Sequence, residues 1–208
     1  MFRNRKEAGE QLAEFLREKE ADFDLVLGIP RGGVVVAYPI AQKYGCPLDV
    51  VIARKIGSPS DPEYAIGAVT PDGEILVDEN LLMFLHLDKN QFEQAAKHVH
   101  QEINWRLTAY RGGRPALSIE GKRVLLVDDG IATGFTVRAA IAYLRRQGAS
   151  YIAVATPVAA PDTYSSLKRL ADDVFCLHVP SVFYAVGQFY EEFSATSDQE
   201  VISLLQAI

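Results

Sequence analysis

The chain has 208 residues, of which 49% are hydrophobic and 23% charged, and its formal net charge is −6 at pH 7. This length and apolar content favour a single domain over residues 1–208 with a fully buried core. The acidic balance argues against a nucleic-acid partner, no stretch reaches the ~18 apolar residues of a membrane helix, and the polar start of the chain does not resemble a secretory signal, so we expect a cytoplasmic protein.

Apolar segments alternate with helical patterns at the start of the chain, which is typical of βαβ units. The predicted elements are, in order, a helix capped by Asn4 (6–18), a strand (23–29), a helix that ends near Gly45, and a strand (48–53). Pro39 lies inside the second helix and should kink or shorten it, because proline cannot donate a helical hydrogen bond. Residues 54–62 are polar and hold a glycine and two prolines, so we expect a mobile loop there.

The rest of the chain continues this alternation. Pro71-Asp72-Gly73 predicts the turn of a β-hairpin, and Asp88 with Gln91 resembles a capping box for a long helix. The remaining predicted elements are a strand (123–127), a helix (136–147), two strands with a helix between them (151–156 and 174–177), and a final helix capped by Ser197 and Glu200. Together they predict a doubly wound α/β fold, with a mainly parallel sheet flanked by helices.

Residues 124–136 carry the strongest functional signal. Four apolar residues predict a strand buried on both faces, and Asp128 and Asp129 follow at its carboxyl end, where open α/β sheets bind ligands. A loop of small residues follows, with Gly130, Thr133, Gly134 and Thr136. It leads into a helix whose first backbone amides can bind a phosphate. The two carboxylates can accept hydrogen bonds from adjacent hydroxyl groups, and the backbone amides nearby can bind an anion. A ribose 5-phosphate carries both kinds of group and is the ligand that this segment indicates. The alternative is a buried strand that ends in an acidic turn, but two adjacent aspartates with Ala-Thr-Gly-x-Thr favour a binding site.

The segment Asp128-Asp129-Gly130-Ile131-Ala132-Thr133-Gly134-Phe135-Thr136 resembles the 5-phosphoribosyl 1-pyrophosphate (PRPP) motif of the type I phosphoribosyltransferases, and the strand–helix layout from about residue 20 to 180 is similar too. The resemblance implies that Asp128 and Asp129 bind the ribose hydroxyls. It implies that the 5′-phosphate is bound by Gly130, Ile131, Ala132, Thr133, Gly134 and Thr136. An unrelated phosphate-binding α/β protein with a chance match is a further interpretation.

The resemblance also implies an activity and its partners. The reaction is transfer of the phosphoribosyl group from PRPP to a small nitrogenous base, with release of pyrophosphate. Mg²⁺ is expected to arrive on the substrate, with no direct metal ligand from the chain, and the family usually forms homodimers. The alternative is a non-catalytic regulatory protein that keeps this site to sense PRPP or a nucleotide.

A second element lies at the end of the first predicted strand, in Gly28-Ile29-Pro30-Arg31-Gly32-Gly33. Glycine lets a backbone approach an anion closely, and Arg31 adds positive charge. The segment resembles the pyrophosphate loop of the family, which implies that Arg31, Gly32 and Gly33 bind pyrophosphate and that a cis peptide lies at Pro30–Arg31 or next to it. A tight strand–helix turn without a ligand is the alternative.

Arg54 and Lys55 follow the second predicted strand and are the predicted catalytic residues. Two cations beside a loop can stabilise charge on a departing diphosphate, although solvated surface charge is the usual explanation for such a pair. Their position at the third of three consecutive strand ends favours function. Residues 57–63 resemble the catalytic lid of the family.

The acceptor is left open by the sequence. Hypoxanthine–guanine-type members carry an acid at the position of Ala132, so alanine there is more similar to adenine-, uracil- or orotate-type motifs. In the family the base pocket lies under a hood made by the terminal segments, which here are residues 1–19 and 181–208. The candidate base-pocket residues are Val158, Phe183 and Tyr184, and the two rings can either stack on a base or pack the hood onto the core.

Overall fold

Five parallel strands form the central sheet of the computed structural model, which describes residues 1–57, 65–77 and 89–208. In sheet order they are β2 (Leu48–Val50), β1 (Leu25–Gly28), β6 (Arg123–Val127), β7 (Tyr151–Val158) and β8 (Asp173–His178). A smaller antiparallel sheet holds β3 (Arg54–Gly57), β4 (Ala65–Val69) and β5 (Ile75–Val77). Because β1 pairs with β2 on one side and with β6 on the other, the order of the strands reverses between β1 and β6.

Helices cover both faces of the central sheet. They are α1 (Arg5–Glu18), α2 (Gly32–Tyr44), α3 (Lys89–Arg111), α4 (Phe135–Arg146), α5 (Pro161–Leu167) and α6 (Asp198–Gln206), with a 3₁₀ turn at Val186–Phe189. Leu125 and Val127 of β6 pack with α1, α2, α3 and α6, whereas Val124 and Leu126 pack with α4 and α5. This alternation is the pattern of a strand buried on both faces and confirms the predicted doubly wound α/β fold. None of the helices within the described residues is long and apolar enough to cross a membrane.

Several predicted boundaries are confirmed. Residues 123–127 form β6 as predicted, Asn4 accepts a hydrogen bond from the Glu7 amide at 3.0 Å, and Ser197 accepts one from the Glu200 amide at 3.1 Å. Pro39 does not shorten α2, which continues to Tyr44. The proline is buried against Gly9 of α1, where a Cβ would lie 2.6 Å from the Pro39 ring, so close helix packing accommodates it.

The prediction of a loop that begins at Arg54 is wrong for its first four residues. Arg54 pairs with Val69 and Lys55 with Ala68 in antiparallel register, and Ile56 is buried beneath them. Pairing with β4 and the burial of Ile56 outweigh the polar composition of the segment. The rest of that loop, most of the resembled lid and Asp88 of the predicted capping box lie outside the described residues.

The turn of the predicted hairpin is confirmed and is held by α4. Arg146 donates to both Asp72 carboxylate oxygens, at 2.9 and 3.0 Å, and to the Thr70 hydroxyl at 3.0 Å. Burial raises the pKa of Asp72, but the hydrogen bonds from Arg146 and Thr70 lower it more, so the pKa lies below its usual value. The small sheet that carries Arg54 and Lys55 is therefore fixed to the body of the domain.

Asp49 of β2 forms a buried ion pair with Arg111 at the end of α3. The Asp49 side chain is 8% exposed and accepts from Arg111 Nε at 3.0 Å, from the Val50 amide at 2.7 Å and from the Leu117 amide at 3.3 Å. The pair joins the edge strand to the long helix and to the segment that leads to β6.

Removing Arg111 should destabilise the protein far more than removing a surface arginine. Arg111→Ala leaves the Asp49 carboxylate buried without its counter-ion, which typically costs ~3 kcal/mol in free energy of unfolding. Arg145→Ala is the matched control, because the 2.7 Å pair of Arg145 with Asp172 is more than a third exposed and should contribute less than ~1 kcal/mol. Urea denaturation measures both, and equal losses would contradict the assignment of a buried pair.

Candidate functional site

A cleft of about 630 Å³ opens at the carboxyl ends of β1, β2 and β6. The reversal of strand order between β1 and β6 leaves a crevice at this point, where doubly wound sheets bind ligands. The lining residues are Arg5, Ile29, Pro30, Arg31, Gly32, Ala53, Arg54, Lys55, Asp128, Asp129, Thr136, Ala195 and Thr196. The cleft therefore brings together both predicted ribose residues, both predicted catalytic residues, Arg31 and Gly32 of the predicted pyrophosphate loop, and Thr136 of the predicted phosphate segment. Gly33 and residues 130–134 are not among its lining residues.

The start of α2 lies directly against the Asp128-Asp129 turn. A Cβ at Gly32 would overlap the Asp129 carboxylate, and a Cβ at Gly33 would lie 2.6 Å from the Val127 carbonyl oxygen. Only glycine permits this approach. The peptide bond between Pro30 and Arg31 is cis, as predicted.

The two aspartates have different environments. Asp128 accepts a hydrogen bond from the Asp129 amide at 2.9 Å, whereas Asp129 Oδ2 accepts from Arg5 Nε at 2.6 Å. Burial, reinforced by the neighbouring charge of Asp129, raises the pKa of Asp128 well above its usual value. The pair thus joins a carboxyl group that resists ionisation to a carboxylate with a counter-ion.

The predicted phosphate segment has a fixed shape. Gly134 has φ +73° and its Cβ position lies 2.6 Å from Thr163 Cγ2, so this residue must be glycine. The Thr163 hydroxyl donates to the Ala132 carbonyl oxygen at 2.5 Å, and the Ile131 amide donates to the Val158 carbonyl oxygen at 2.9 Å. The Ile131 amide is therefore already used within the chain, whereas the first amides of a helix such as α4 have no acceptor within that helix and can donate to an anion.

The predicted cations already have carboxylate neighbours at the rim of the cleft. Arg54 forms an ion pair with Glu102 of α3. Arg31 Nη1 lies 3.9 Å from Asp198 Oδ1, at the start of α6. Lys55 is exposed and lines the same cleft.

The sequence analysis missed three cleft residues from the terminal segments, namely Arg5, Ala195 and Thr196. These segments meet because the Phe2 amide donates to the Phe189 carbonyl oxygen at 2.8 Å and the Glu191 amide donates to the Phe2 carbonyl oxygen at 2.9 Å. A signal for Arg5 was present, since a cation in the first turn of a helix opposes the helix dipole. Helix α1 also packs in the main core, and the division into core and hood stays a prediction.

The three candidate base-pocket residues lie elsewhere. Val158 is fully buried, with its Cγ1 3.1 Å from the Cβ position of Gly130. Phe183 packs on Phe189 with ring centroids 5.4 Å apart, and Tyr184 is 87% exposed. None of the three lines the cleft within the part of the chain that the structure describes, and their role as base contacts stays a prediction.

The comparison with family models gives one assignment for nearly the whole chain. The model described as "Phosphoribosyl transferase domain" matches residues 2–194. That match includes every predicted site residue, the N-terminal segment from Phe2, and the C-terminal segment as far as Ser194.

Two curated proteins resemble the chain at different levels. A Mycobacterium tuberculosis (strain CDC 1551) protein that bears a provisional phosphoribosyl transferase name is 38% identical over 205 residues, which is 99% of this chain and 46% of that protein. The amidophosphoribosyltransferase of Bacillus subtilis (strain 168) is 26% identical over 163 residues, which is 77% of this chain and 26% of that protein. The chain thus spans about half the length of its mycobacterial relative.

One solved structure is similar over its whole length. The crystal structure of TT1426 from Thermus thermophilus has a TM-score of 0.85 and 40% sequence identity to this chain. The match covers 100% of this chain and 98% of that chain. The fold described above is therefore also that of an experimental structure.

Replacing Asp128 by asparagine should stabilise the folded protein, whereas replacing Asp129 by asparagine should destabilise it. The raised pKa of Asp128 means that the folded protein disfavours its ionised form, so the penalty is complete above the raised pKa and vanishes toward the usual value of ~3.9. Asp128→Asn should therefore raise the melting temperature of the ligand-free protein at pH ~8, and the gain should shrink toward pH ~4. Asp129→Asn removes the ion pair with Arg5 and should cost about 2 kcal/mol at pH ~8.

Scanning calorimetry of both variants at the two pH values measures these effects. Asp162→Asn, which changes an exposed carboxylate at the start of α5, is the control and should lower stability by less than ~1 kcal/mol at either pH, because it loses only an exposed charge in a first helical turn. Equal destabilisation by Asp128→Asn and Asp129→Asn at pH ~8 would contradict the different environments of the two aspartates.

Proposed function

The chain belongs to the phosphoribosyltransferase family, and from that premise we propose that it transfers the phosphoribosyl group of PRPP to a nitrogenous base and releases pyrophosphate. One observation carries the proposal: carboxylates, a glycine and cations from three neighbouring strand ends line one cleft of about 630 Å³. Because the chain spans about half of its mycobacterial relative, the proposal concerns the chemistry of this domain.

In the proposed complex, Asp128 and Asp129 accept hydrogen bonds from the ribose hydroxyls. The 5′-phosphate lies at the start of α4, where the first amides have no helical partner and the helix dipole favours an anion. The glycine at position 134 supports this geometry, because its positive φ turns the chain into the helix at that point.

The diphosphate is proposed to lie against the Pro30–Arg31 turn, with Arg54 and Lys55 facing it from β3. The bond from C1 of the ribose to the diphosphate oxygen breaks as a nitrogen lone pair of the base forms the new bond to C1, and the base releases its N–H proton to water or to the departing diphosphate. The diphosphate leaves with the electron pair of the broken bond, and the cations stabilise that charge as it develops. Holding the base close to C1 supplies the rest of the rate increase.

Mg²⁺ suits this cleft as a companion of the substrate. The cleft is open and presents carboxylate oxygens, the type of group around which Mg²⁺ keeps several of its waters. When bound to the diphosphate, the ion neutralises part of its charge. Among the described residues there is no group of three or more His, Cys, Asp or Glu side chains that could hold a metal ion.

The acceptor class follows from Ala132. This residue is exposed at the predicted phosphate segment and carries no group that could donate or accept a proton. We therefore propose an acceptor that needs no acid from this position, as in adenine-, uracil- or orotate-type members. A homodimer and a cytoplasmic location stay predictions from the family resemblance and the composition.

A pyrophosphate-release assay with PRPP, Mg²⁺ and a panel of purine and pyrimidine bases tests the proposal. Release should occur with at least one base and should be lost in the double variant Asp128→Asn/Asp129→Asn, which has no carboxylate for the ribose. The exposed Asp162→Asn serves again as the control and should leave the rate unchanged. Binding of PRPP without release across the panel would favour the regulatory sensor, and wild-type binding in the double variant would reject the ribose assignment.

The double variant Arg54→Ala/Lys55→Ala should lose turnover more than binding. Two cations that act on the departing diphosphate contribute mainly in the transition state, so kcat should fall by about 100-fold or more while the PRPP affinity falls less. Lys168→Ala/Arg169→Ala removes an adjacent, exposed cation pair at the end of α5 and should have no effect. An unchanged kcat in the Arg54/Lys55 variant would show that the pair is surface charge.

A further inference from the structure

The first turn of α1 places a buried cation, Arg5, beside Asp129, one of the two aspartates proposed to bind the ribose. The Arg5 side chain is only 12% exposed, with Nε 2.6 Å from Asp129 Oδ2 and Nη1 donating to the Ser194 carbonyl oxygen at 2.7 Å. A positive charge at this end of a helix is unfavourable, and its burial adds to the penalty. The ion pair with Asp129 offsets both effects, so the position of Arg5 is explained by the cleft and not by the helix.

An aromatic stack supports Arg5 from the C-terminal segment. The guanidinium carbon lies 3.8 Å above the Phe193 ring, and Phe193 stacks on Tyr190 at 5.0 Å between centroids. Tyr190 in turn packs on Phe2 at 5.5 Å, and its hydroxyl donates to the Asp129 carbonyl oxygen at 2.5 Å. Asp129 is therefore held twice, by Arg5 at its side chain and by Tyr190 at its backbone.

The contacts with Arg5 and Gly32 both involve Oδ2 of the Asp129 carboxylate, which also interacts with the Asp128 side chain beside it. Arg5 Nε binds Oδ2, and the same oxygen lies against the α carbon of Gly32, where no Cβ would fit. A carboxylate fixed through one oxygen presents the other in a defined direction. The Asp129 side chain is thus held in one rotamer, with Oδ1 oriented to accept a hydrogen bond from a ligand hydroxyl.

We propose that Arg5 is a positioning residue of the ribose site, which holds Asp129 ready for a sugar hydroxyl through the Arg5–Asp129 ion pair. The inference rests on the proposed function and deepens it. It assigns the N-terminal segment a role in sugar binding, in addition to the predicted role of the terminal segments in covering the base. Arg5 acts through Asp129 and does not itself bind the diphosphate.

Two ligands measured separately test this role on the full chain by titration calorimetry. Ribose 5-phosphate probes the sugar site, and pyrophosphate with Mg²⁺ probes the diphosphate site. In Arg5→Met the affinity for ribose 5-phosphate should fall by at least about tenfold, because a charge-assisted hydrogen bond that orders the carboxylate is lost. The affinity for pyrophosphate should stay within about twofold, since Asp129 does not bind that ligand.

Two further variants separate this role from a general loss of structure. Arg5→Lys keeps the charge beside Asp129 but loses the guanidinium contacts with Phe193 and Ser194, so it should restore part of the ribose 5-phosphate affinity that Arg5→Met loses. Arg3→Met removes a charge from the same segment, but the Arg3 side chain is 70% exposed and 3.9 Å from Glu192, so both affinities should match the wild type.

The outcomes separate this inference from the proposed function. Equal losses for both ligands in Arg5→Met would mean that Arg5 binds the diphosphate directly, and an unchanged or tighter ribose 5-phosphate affinity would mean that Arg5 is idle or blocks the site. Either result overturns the inference while the proposed function stands. A wild-type protein that binds neither ligand nor PRPP would overturn the proposed function, and the inference with it.

Discussion

The contact between the start of α2 and the turn after β6 is the constraint on which the cleft depends. Gly32 and Gly33 bring the backbone of α2 against Asp129 and Val127, at a distance that excludes any side chain. The contact lies where the strand order reverses, so the crevice of the doubly wound sheet becomes a site with two walls. One wall carries carboxylates, and the other carries a backbone that can approach an anion.

Charge is distributed unevenly in this molecule. The chain as a whole has a net charge of −6, but its cleft is lined by Arg5, Arg31, Arg54 and Lys55 against two aspartates. Cations gathered in a concave site can attract anionic ligands even when the whole protein is acidic. Glu102 and Asp198 stand beside Arg54 and Arg31 at the rim, which keeps these side chains near the cleft.

Local chemistry explains why much of the fold could be predicted. Asn4 and Ser197 cap helices through contacts within three residues, and the β6 strand is a continuous apolar run, so each signal is complete within a short segment. The prediction of a loop over residues 54–57 was wrong because these residues form a strand only through pairing with β4, and amino-acid composition does not reveal such pairing. The uninterrupted α2 depends likewise on Gly9, which lies in another helix.

The sequence by itself determined the family resemblance and the doubly wound fold. It also placed Arg31, Gly32, Arg54, Lys55, Asp128 and Asp129 at strand ends that meet in the cleft, because each of these motifs is contiguous. Only the tertiary structure decided that Arg5 joins them, since its bond to Asp129 links residues 124 positions apart and leaves no periodic trace. The structure likewise brought Thr196 to the cleft and left Tyr184 in solvent. Contacts between distant segments depend on how the terminal segments pack together, and that packing is a property of the folded chain alone.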